Sequence, residues 1–237
     1  MSTVSVAPSR KLPHIFQSVV NAYIYRRYSI LFATLVFTLV AFPVISFFHL
    51  SGFIIESLLG TSLIAAILPV GASKTRSLLL GLMVAVWLVR PVMAWLGHTL
   101  LSLLMLGTWT LIGLAAAWLA IRFALNASKV DTEHLCAALS AYLLAGIYFG
   151  VLYWVLEEVS PGTFAFPGTF SRTAASYFSF ITLATVGYGD IVPRTDVARG
   201  IAIIEGIGGQ LFLAVLVARL VSIYSTQDSA DNTKAIS

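Results

Sequence analysis

Six long apolar runs, nearly free of charged side chains, constrain this chain more than any other feature. A helix needs about 20 apolar residues to cross the hydrocarbon core of a bilayer, so each run is interpreted as one membrane span. The fold class predicted is therefore all-α and integral to a membrane, with six transmembrane helices. The runs cover residues 28–48, 53–70, 77–96, 99–124, 135–156 and 198–224.

The composition excludes the other broad classes of protein. Hydrophobic residues make up 59% of the 237 residues and charged residues 10%, whereas soluble domains have about 45–50% and about 25%. A soluble globular, collagen-like or disordered chain is thus excluded. The net charge of +4 is interpreted as a signal of membrane topology, with no nucleic-acid partner expected. The single cysteine, Cys136, excludes an intrachain disulfide framework.

Basic residues indicate how the chain is oriented in the membrane. An inside N-terminus leaves three arginines outside, Arg172, Arg194 and Arg199, and a larger basic group on or near the cytoplasmic side. We expect a multi-pass protein of a plasma membrane or bacterial inner membrane, with both termini cytoplasmic and lipid as a partner. The inner group comprises Arg10, Lys11, Arg26, Arg27, Lys74, Arg76, Arg122 and Lys129.

Both ends of the chain are predicted to lie in or near the cytoplasm. Residues 1–27 carry apolar side chains at helical spacing from Leu12 to Ile24, which predicts an amphipathic helix at the membrane interface. The alternative is a stripe packed against protein. Residues 225–237 are polar and are predicted to form a short cytoplasmic tail.

The segment between the last two spans differs from an ordinary loop. Residues 172–184 have helical character but are too short to cross the membrane, and the sequence TVGYGD follows at residues 185–190. A half-helix followed by a glycine-interrupted strand indicates a re-entrant loop. Irregular backbone at membrane depth is tolerated only where protein buries it or where it lines a pore.

TVGYG is a sequence of K⁺-channel selectivity filters, and its chemistry suits a desolvated cation. Backbone carbonyls from Thr185, Val186, Gly187, Tyr188 and Gly189 would replace the hydration shell without charges that trap the ion. Carbonyl groups that all point the same way require successive residues to alternate between right-handed and left-handed backbone conformations. The two glycines allow this because glycine readily adopts the left-handed conformation, with positive φ. The Thr185 hydroxyl can add one ring of oxygens, and the preceding helix directs its negative end at the ion.

Residues 182–190, TLATVGYGD, resemble the signature of tetrameric potassium channels, and residues 205–211 are similar to prokaryotic ion-channel-2-type subunits. The resemblance implies a pore domain over residues 135–224, built as helix, pore loop and helix. It implies K⁺ sites at Thr185, Val186, Gly187 and Tyr188. One filter segment per chain cannot encircle an ion, so a homotetramer around a central pore is expected.

The resemblance also implies roles for residues around the filter. Tyr177 and Phe178 occupy the place of aromatic residues that brace the filter tyrosine, with Thr182 and Asp190 in supporting positions. Ile181 stands where some members have a glutamate, which makes the Tyr177 hydroxyl the expected partner of Asp190. Gly209 lies where the family has a gating glycine. The cavity-lining residues expected on the last span are Gln210, Leu213 and Val217.

Acidic residues near the pore have alternative interpretations. Glu205 lies about two turns into the last span and is expected to point toward the half-helix or the fifth span, where it would support the filter. Glu157 and Glu158 begin the outer loop. They either gather cations at the mouth or form a solvated turn.

The first four spans, residues 28–125, are predicted to form a membrane domain without voltage-sensor charges. A sensor helix needs Arg or Lys at every third residue, but the fourth span has only Arg122 and the third only Arg90. Glu56 and Arg90 have similar predicted depth. They form a possible intramembrane pair, either as a sensor or ligand site or as an ion pair that locks two helices.

We therefore expect a potassium-selective channel subunit that conducts passively and is not gated by a charged fourth span. No enzymatic constellation or metal site is predicted, and K⁺ is the conducted ion rather than a cofactor. A weakly selective cation channel and a non-conducting regulatory subunit remain alternatives. The intact Tyr188 argues against the first and the complete filter against the second. A separate regulatory subunit is a possible partner.

Overall fold

The computed structural model describes residues 26–47, 99–125 and 131–236, with a few positions between 60 and 97. Two short strands, β1 (Phe164–Ala165) and β2 (Val192–Pro193), accompany the helices. Apart from those few positions, the second and third predicted spans lie outside the described residues, as do the N-terminal amphipathic helix, Glu56 and Arg90. The helices are α1 (Arg27–Phe47), α2 (Thr99–Leu125), α3 (Thr132–Val159), α4 (Arg172–Leu183) and α5 (Asp196–Ile236).

Three helices of the described part are long and apolar enough to cross a membrane. They cover Leu103–Leu125, Thr132–Val159 and Asp196–Ser222 and coincide with the predicted fourth, fifth and sixth spans. The helix α1 coincides with the first predicted span, and its Arg27–Ala41 stretch is also apolar. The prediction of a helical membrane protein is confirmed.

The helix α5 is longer than the sequence analysis predicted. It continues through residues 225–236, which were expected to be a tail that follows a span ending at residue 224. Those residues contain neither proline nor glycine, so nothing in the local sequence breaks the hydrogen-bond ladder. The apolar span and the polar tail segment therefore form one continuous helix.

The helix α3 is the centre of the packing, since α1, α2 and α4 all lie against it. Small residues allow the close approach. A Cβ added at Gly113 of α2 would lie 2.4 Å from the ring of Tyr148 on α3, which is shorter than any van der Waals contact. Alanines dominate the buried surface between α2 and α3, as expected for helices that pack within a membrane. They are Ala116, Ala117, Ala120, Ala124, Ala137, Ala138 and Ala141.

A carboxylate at the start of α3 joins this helix to the beginning of α1. Glu133 accepts hydrogen bonds from the backbone N–H groups of Tyr28 (2.9 Å) and Ser29 (3.3 Å), and from the Ser29 hydroxyl. The first N–H groups of a helix have no intrahelical acceptor, and the helix dipole favours an anion there. Glu133 thus caps α1 across a long stretch of sequence.

The strand pair ties together the loops on the two sides of α4. The strands are antiparallel, with Phe164 opposite Pro193 and Ala165 opposite Val192. The Arg194 N–H donates to the Thr163 carbonyl at 2.7 Å and extends this connection. The segment between α4 and β2 is therefore held at both of its ends.

Candidate functional site

The helix α4 is a short, partly buried half-helix, and its length agrees with the sequence prediction. Its 12 residues span about 18 Å, well short of the roughly 30 Å hydrocarbon core. The Ser171 hydroxyl caps its first turn by accepting from the Ala174 N–H at 3.2 Å. Gly150 of α3 permits close contact, since a Cβ added there would lie 2.8 Å from the Ser176 Cα.

The TVGYGD segment follows α4 and has a left-handed backbone conformation at every second residue. The φ angles are +55° at Thr185, +56° at Gly187 and +79° at Gly189. Of the described residues other than glycine, Thr185 alone has a positive φ, a conformation that costs about 1–2 kcal/mol. The turn before it is held by hydrogen bonds from the Thr185 N–H to the Thr182 carbonyl (3.0 Å) and from Val186 to Ile181 (2.9 Å).

The TVGYGD segment is exposed in the isolated chain. Residues 184–190 are all exposed, and the exposed fraction reaches 71% at Tyr188. A Cβ added at Gly187 or Gly189 would meet no atom within 4 Å. Exposed irregular backbone next to a buried half-helix is tolerated in a membrane only against protein or a water-filled space.

The structure separates the two aromatic residues that were predicted to brace Tyr188. Phe178 is buried among rings of the outer loop and α3, with centroids 5.0 Å from Tyr153 and 5.3 Å from Phe164. Tyr177 is exposed and interacts with the Asp190 carboxylate and with Tyr188. The Tyr177 side chain thus lies toward Asp190, and both the Tyr177–Asp190 pair and the bracing of Tyr188 by Phe178 stay predictions.

Glu205 lies where α3, α4 and α5 meet. Its exposed fraction is 1%. The Tyr153 hydroxyl of α3 donates to Glu205 Oε2 at 2.6 Å, and Ser179 of α4 hydrogen-bonds to Oε1. The Ser179 hydroxyl also lies 2.7 Å from the Gly146 carbonyl oxygen of α3. Glu205 was expected to point toward the half-helix or the fifth span, and its carboxyl group contacts residues of both.

One turn after Glu205, Gly209 packs against the end of α4. A Cβ added at Gly209 would lie 2.7 Å from Leu183 Cδ1 and 2.9 Å from the Leu183 carbonyl oxygen. A Cβ added at Gly206, one turn earlier on α5, would lie 3.7 Å from the Thr182 carbonyl oxygen. The helix α5 runs through Gly209 without interruption. The predicted cavity residues Gln210, Leu213 and Val217 are exposed in the single chain.

Sequence reasoning missed the partners of Glu205. Tyr153 and Ser179 were not singled out, although both are completely buried. A signal was available, because a carboxyl group inside a span needs polar partners at a similar depth. Tyr153 lies near the outer end of the fifth span, at the depth expected for Glu205, and this matching could have identified it.

Glu157 organises the outer loop. Its carboxylate accepts hydrogen bonds from the backbone N–H groups of Gly162 at 2.8 Å and Phe164 at 2.9 Å. Glu158 is exposed. The sequence analysis offered a cation-gathering pair or a solvated turn, and neither includes the structural role that these contacts give Glu157.

We expect Glu157→Gln to lower the thermal stability of the purified protein, because an amide has one acceptor oxygen for two N–H groups. The two hydrogen bonds are exposed or partly buried, and the loss of a hydrogen bond of this kind costs about 0.5–1.5 kcal/mol. The matched control is Glu158→Gln, which removes the same charge at the next residue. Equal melting temperatures for the two variants would contradict the structural role.

The comparisons with known proteins match the α3–α5 part of the chain. Residues 138–226 match the family model described as Ion channel. Two-pore potassium channel 4 of Arabidopsis thaliana is 46% identical over 57 residues, 24% of this chain and 20% of that protein. The inward rectifier potassium channel Kirbac3.1 of Paramagnetospirillum magnetotacticum is 35% identical over 78 residues, 31% of this chain and 24% of that protein.

Coverage differs among the relatives. The matches span a quarter or less of these two potassium channels. Protein LctB of Bacillus caldotenax is 32% identical over 100 residues, 39% of this chain and 74% of that protein. No solved structure matches this chain.

The matched residues begin in α3, include the whole of α4 and the TVGYGD segment, and end in α5. Three helices of the described residues have the length and hydropathy of membrane spans. With LctB aligned over most of its length, this chain belongs to the ion channel family.

Proposed function

We propose that this chain is a subunit of a potassium-selective channel that conducts K⁺ passively through a carbonyl-lined filter. The observation that carries the proposal is the positive φ at every second residue, Thr185, Gly187 and Gly189. The names of two relatives, both potassium channels, support K⁺ as the conducted ion. The channel catalyses no reaction.

The geometry suggests how conduction would proceed. Alternating hands turn successive carbonyl groups toward the same side, so the peptides of Thr185 to Tyr188 offer a column of oxygens. The Thr185 hydroxyl adds an oxygen at the end nearest α4. The C-terminal end of α4 points its partial negative charge toward this region and favours a cation. Ions pass in single file because neighbouring ions repel each other.

A homotetramer completes the pore in this proposal. The helix α5 is apolar, yet only 11% of its most apolar stretch is buried inside the chain. A face with Ile203, Ile204, Ile207 and Leu211 is more than half exposed at each residue. In the tetramer, neighbouring copies and lipid cover this surface, and Gln210, Leu213 and Val217 line the cavity below the filter.

The remaining assignments form part of the same proposal. The chain has six spans and cytoplasmic termini, and its first four spans carry no voltage-sensor charges. Asp190, Tyr177, Phe178, Thr182 and Glu205 support the filter. Gly209 is the candidate gating hinge, and a separate regulatory subunit is a possible partner.

The test is a flux assay with the purified protein in vesicles loaded with KCl. We expect K⁺ flux that exceeds Na⁺ flux and that Ba²⁺ blocks, because Ba²⁺ resembles K⁺ in size but carries twice its charge. Protein-free vesicles give the leak. Equal Na⁺ and K⁺ flux would favour a weakly selective cation channel, and no flux over a range of pH and membrane tension would favour a non-conducting subunit.

A further inference from the structure

Glu205 is a buried acid whose hydrogen-bond partners are all neutral among the described residues. Tyr153 and Ser179, which contact its two oxygens, have exposed fractions of 0%. Glu205 itself is buried by its own chain, so neighbouring copies in a tetramer cannot reach it. An ionised carboxylate is strongly disfavoured in such a place unless a cation and further hydrogen bonds compensate it.

The charged groups on the surrounding helices lie elsewhere. From α3, the titratable groups that face Glu205 are Tyr153 and Tyr142, which interacts with it electrostatically. On α4, Arg172 lies over the Trp154 ring at 4.1 Å, and Tyr177 faces Asp190.

The arginines of α5 are also distant from Glu205 along the helix. Arg199 precedes it by six residues and Arg219 follows it by 14. These separations correspond to about 9 Å and about 21 Å along the helix axis. The described part of the chain therefore offers no cation to neutralise an ionised Glu205.

Counting protons gives an independent argument. The Ser179 hydroxyl has one proton, but it lies within hydrogen-bond distance of both the Gly146 carbonyl oxygen and Glu205 Oε1. If Glu205 were ionised, one of these two oxygen–oxygen contacts would have no proton. If Oε1 carries a proton, Glu205 donates to Ser179, Ser179 donates to Gly146, and Tyr153 donates to Oε2. Each contact then has one proton.

We propose that Glu205 is held as the neutral acid and that its proton, shared with Ser179, positions α4 behind residues 185–189. Glu205 is a positioning residue for conduction, and this role rests on the proposed channel function. The bond joins α5 to α4, while Ser179 and Tyr153 continue the network to α3. Removal of the proton would leave the Ser179 hydroxyl one proton for two acceptor oxygens, so that α4 loses its hydrogen bond either to Glu205 of α5 or to Gly146 of α3.

The flux test compares three variants across a pH series. In wild type, K⁺ flux is expected to fall at alkaline pH, where Glu205 loses its proton. Glu205→Gln keeps a donor for Ser179 and an acceptor for Tyr153 and cannot ionise, so it should retain flux and lose this alkaline fall. Glu205→Ala should lose most of the flux. The exposed Glu158 provides the control, and Glu158→Gln should keep the wild-type pH profile. A Gln variant that folds but does not conduct would overturn the proposal.

Infrared spectroscopy tests the proton without relying on conduction. The difference spectrum of wild type minus Glu205→Gln should contain the carbonyl stretching band of a protonated carboxylic acid at neutral pH. A carboxylate band in its place would overturn the neutral acid. If the Gln variant does not fold, Ser179→Ala should shift the same band, since it removes the acceptor of the proton. Absence of wild-type flux together with the acid band would reject the channel function and the positioning role, but retain the protonation state.

Discussion

Gly187→Ala is expected to abolish K⁺-selective flux while leaving the protein folded. Gly187 has a φ of +56°, and alanine in this region costs about 1–2 kcal/mol, so four copies would lose about 4–8 kcal/mol. Each 1.36 kcal/mol corresponds to a factor of ten. The filter would then relax to another backbone conformation, and we expect K⁺ flux to fall by about 100-fold or more. The assay is flux into KCl-loaded vesicles.

The control for this prediction is Gly168→Ala in the outer loop. Gly168 also has a positive φ, +106°, and an added Cβ there meets nothing within 4 Å. Because +106° lies outside the left-handed α region, alanine is strained at least as much there as at residue 187. Gly168, however, lies outside the TVGYGD segment. We expect this variant to retain K⁺-selective flux. Full flux in the Gly187 variant, or equal losses in both, would contradict the assignment of residues 185–189 as the filter.

Gly209→Ala is expected to lower the stability of the protein as well as its flux. The added methyl group would lie 2.9 Å from the Leu183 carbonyl oxygen, and backbone at the end of α4 cannot move aside as a flexible side chain can. Overpacking of this kind costs typically about 1–3 kcal/mol. Because Leu183 is followed closely by Thr185, the shift would reach the filter. Thermal unfolding in detergent and vesicle flux measure the two effects.

The neighbouring glycine provides the matched control. Gly208 lies on the same helix, and an added Cβ there meets nothing within 4 Å in the chain. Alanine favours a helix over glycine by about 1 kcal/mol, so Gly208→Ala should be as stable as wild type or more so. A Gly209 variant with wild-type stability but altered open probability would favour a hinge and contradict the packing role.

Local sequence patterns predicted most of the helical elements. The apolar run at residues 135–156 predicted α3, and the short helical segment at 172–184 matched α4 to within one residue. Hydropathy sufficed because a helix in lipid satisfies its own backbone hydrogen bonds and needs only apolar side chains outside. The end of α5 was missed, since polarity marks the membrane boundary and does not end a helix.

The sequence also indicated the backbone of the filter segment, with one exception. Gly187 and Gly189 predicted positive φ because they lack a Cβ. Thr185 also has a positive φ, although it carries a Cβ and its sequence position did not indicate this conformation. Its conformation depends on the end of α4, where the Thr182 and Ile181 carbonyls accept the next backbone N–H groups.

By itself, the sequence determined the membrane class, the half-helix and the glycine positions of the filter segment, because these depend on residues near one another in the chain. Tertiary structure alone decided which side of α4 each residue faces. It buried Phe178 and exposed Tyr177, and it brought Ser179 and Tyr153 to Glu205 across 26 and 52 residues of sequence. Such contacts depend on how packed helices are rotated and how deep they lie relative to one another. Close approaches, such as that of Gly150 to Ser176, determine this arrangement, and hydropathy does not encode it.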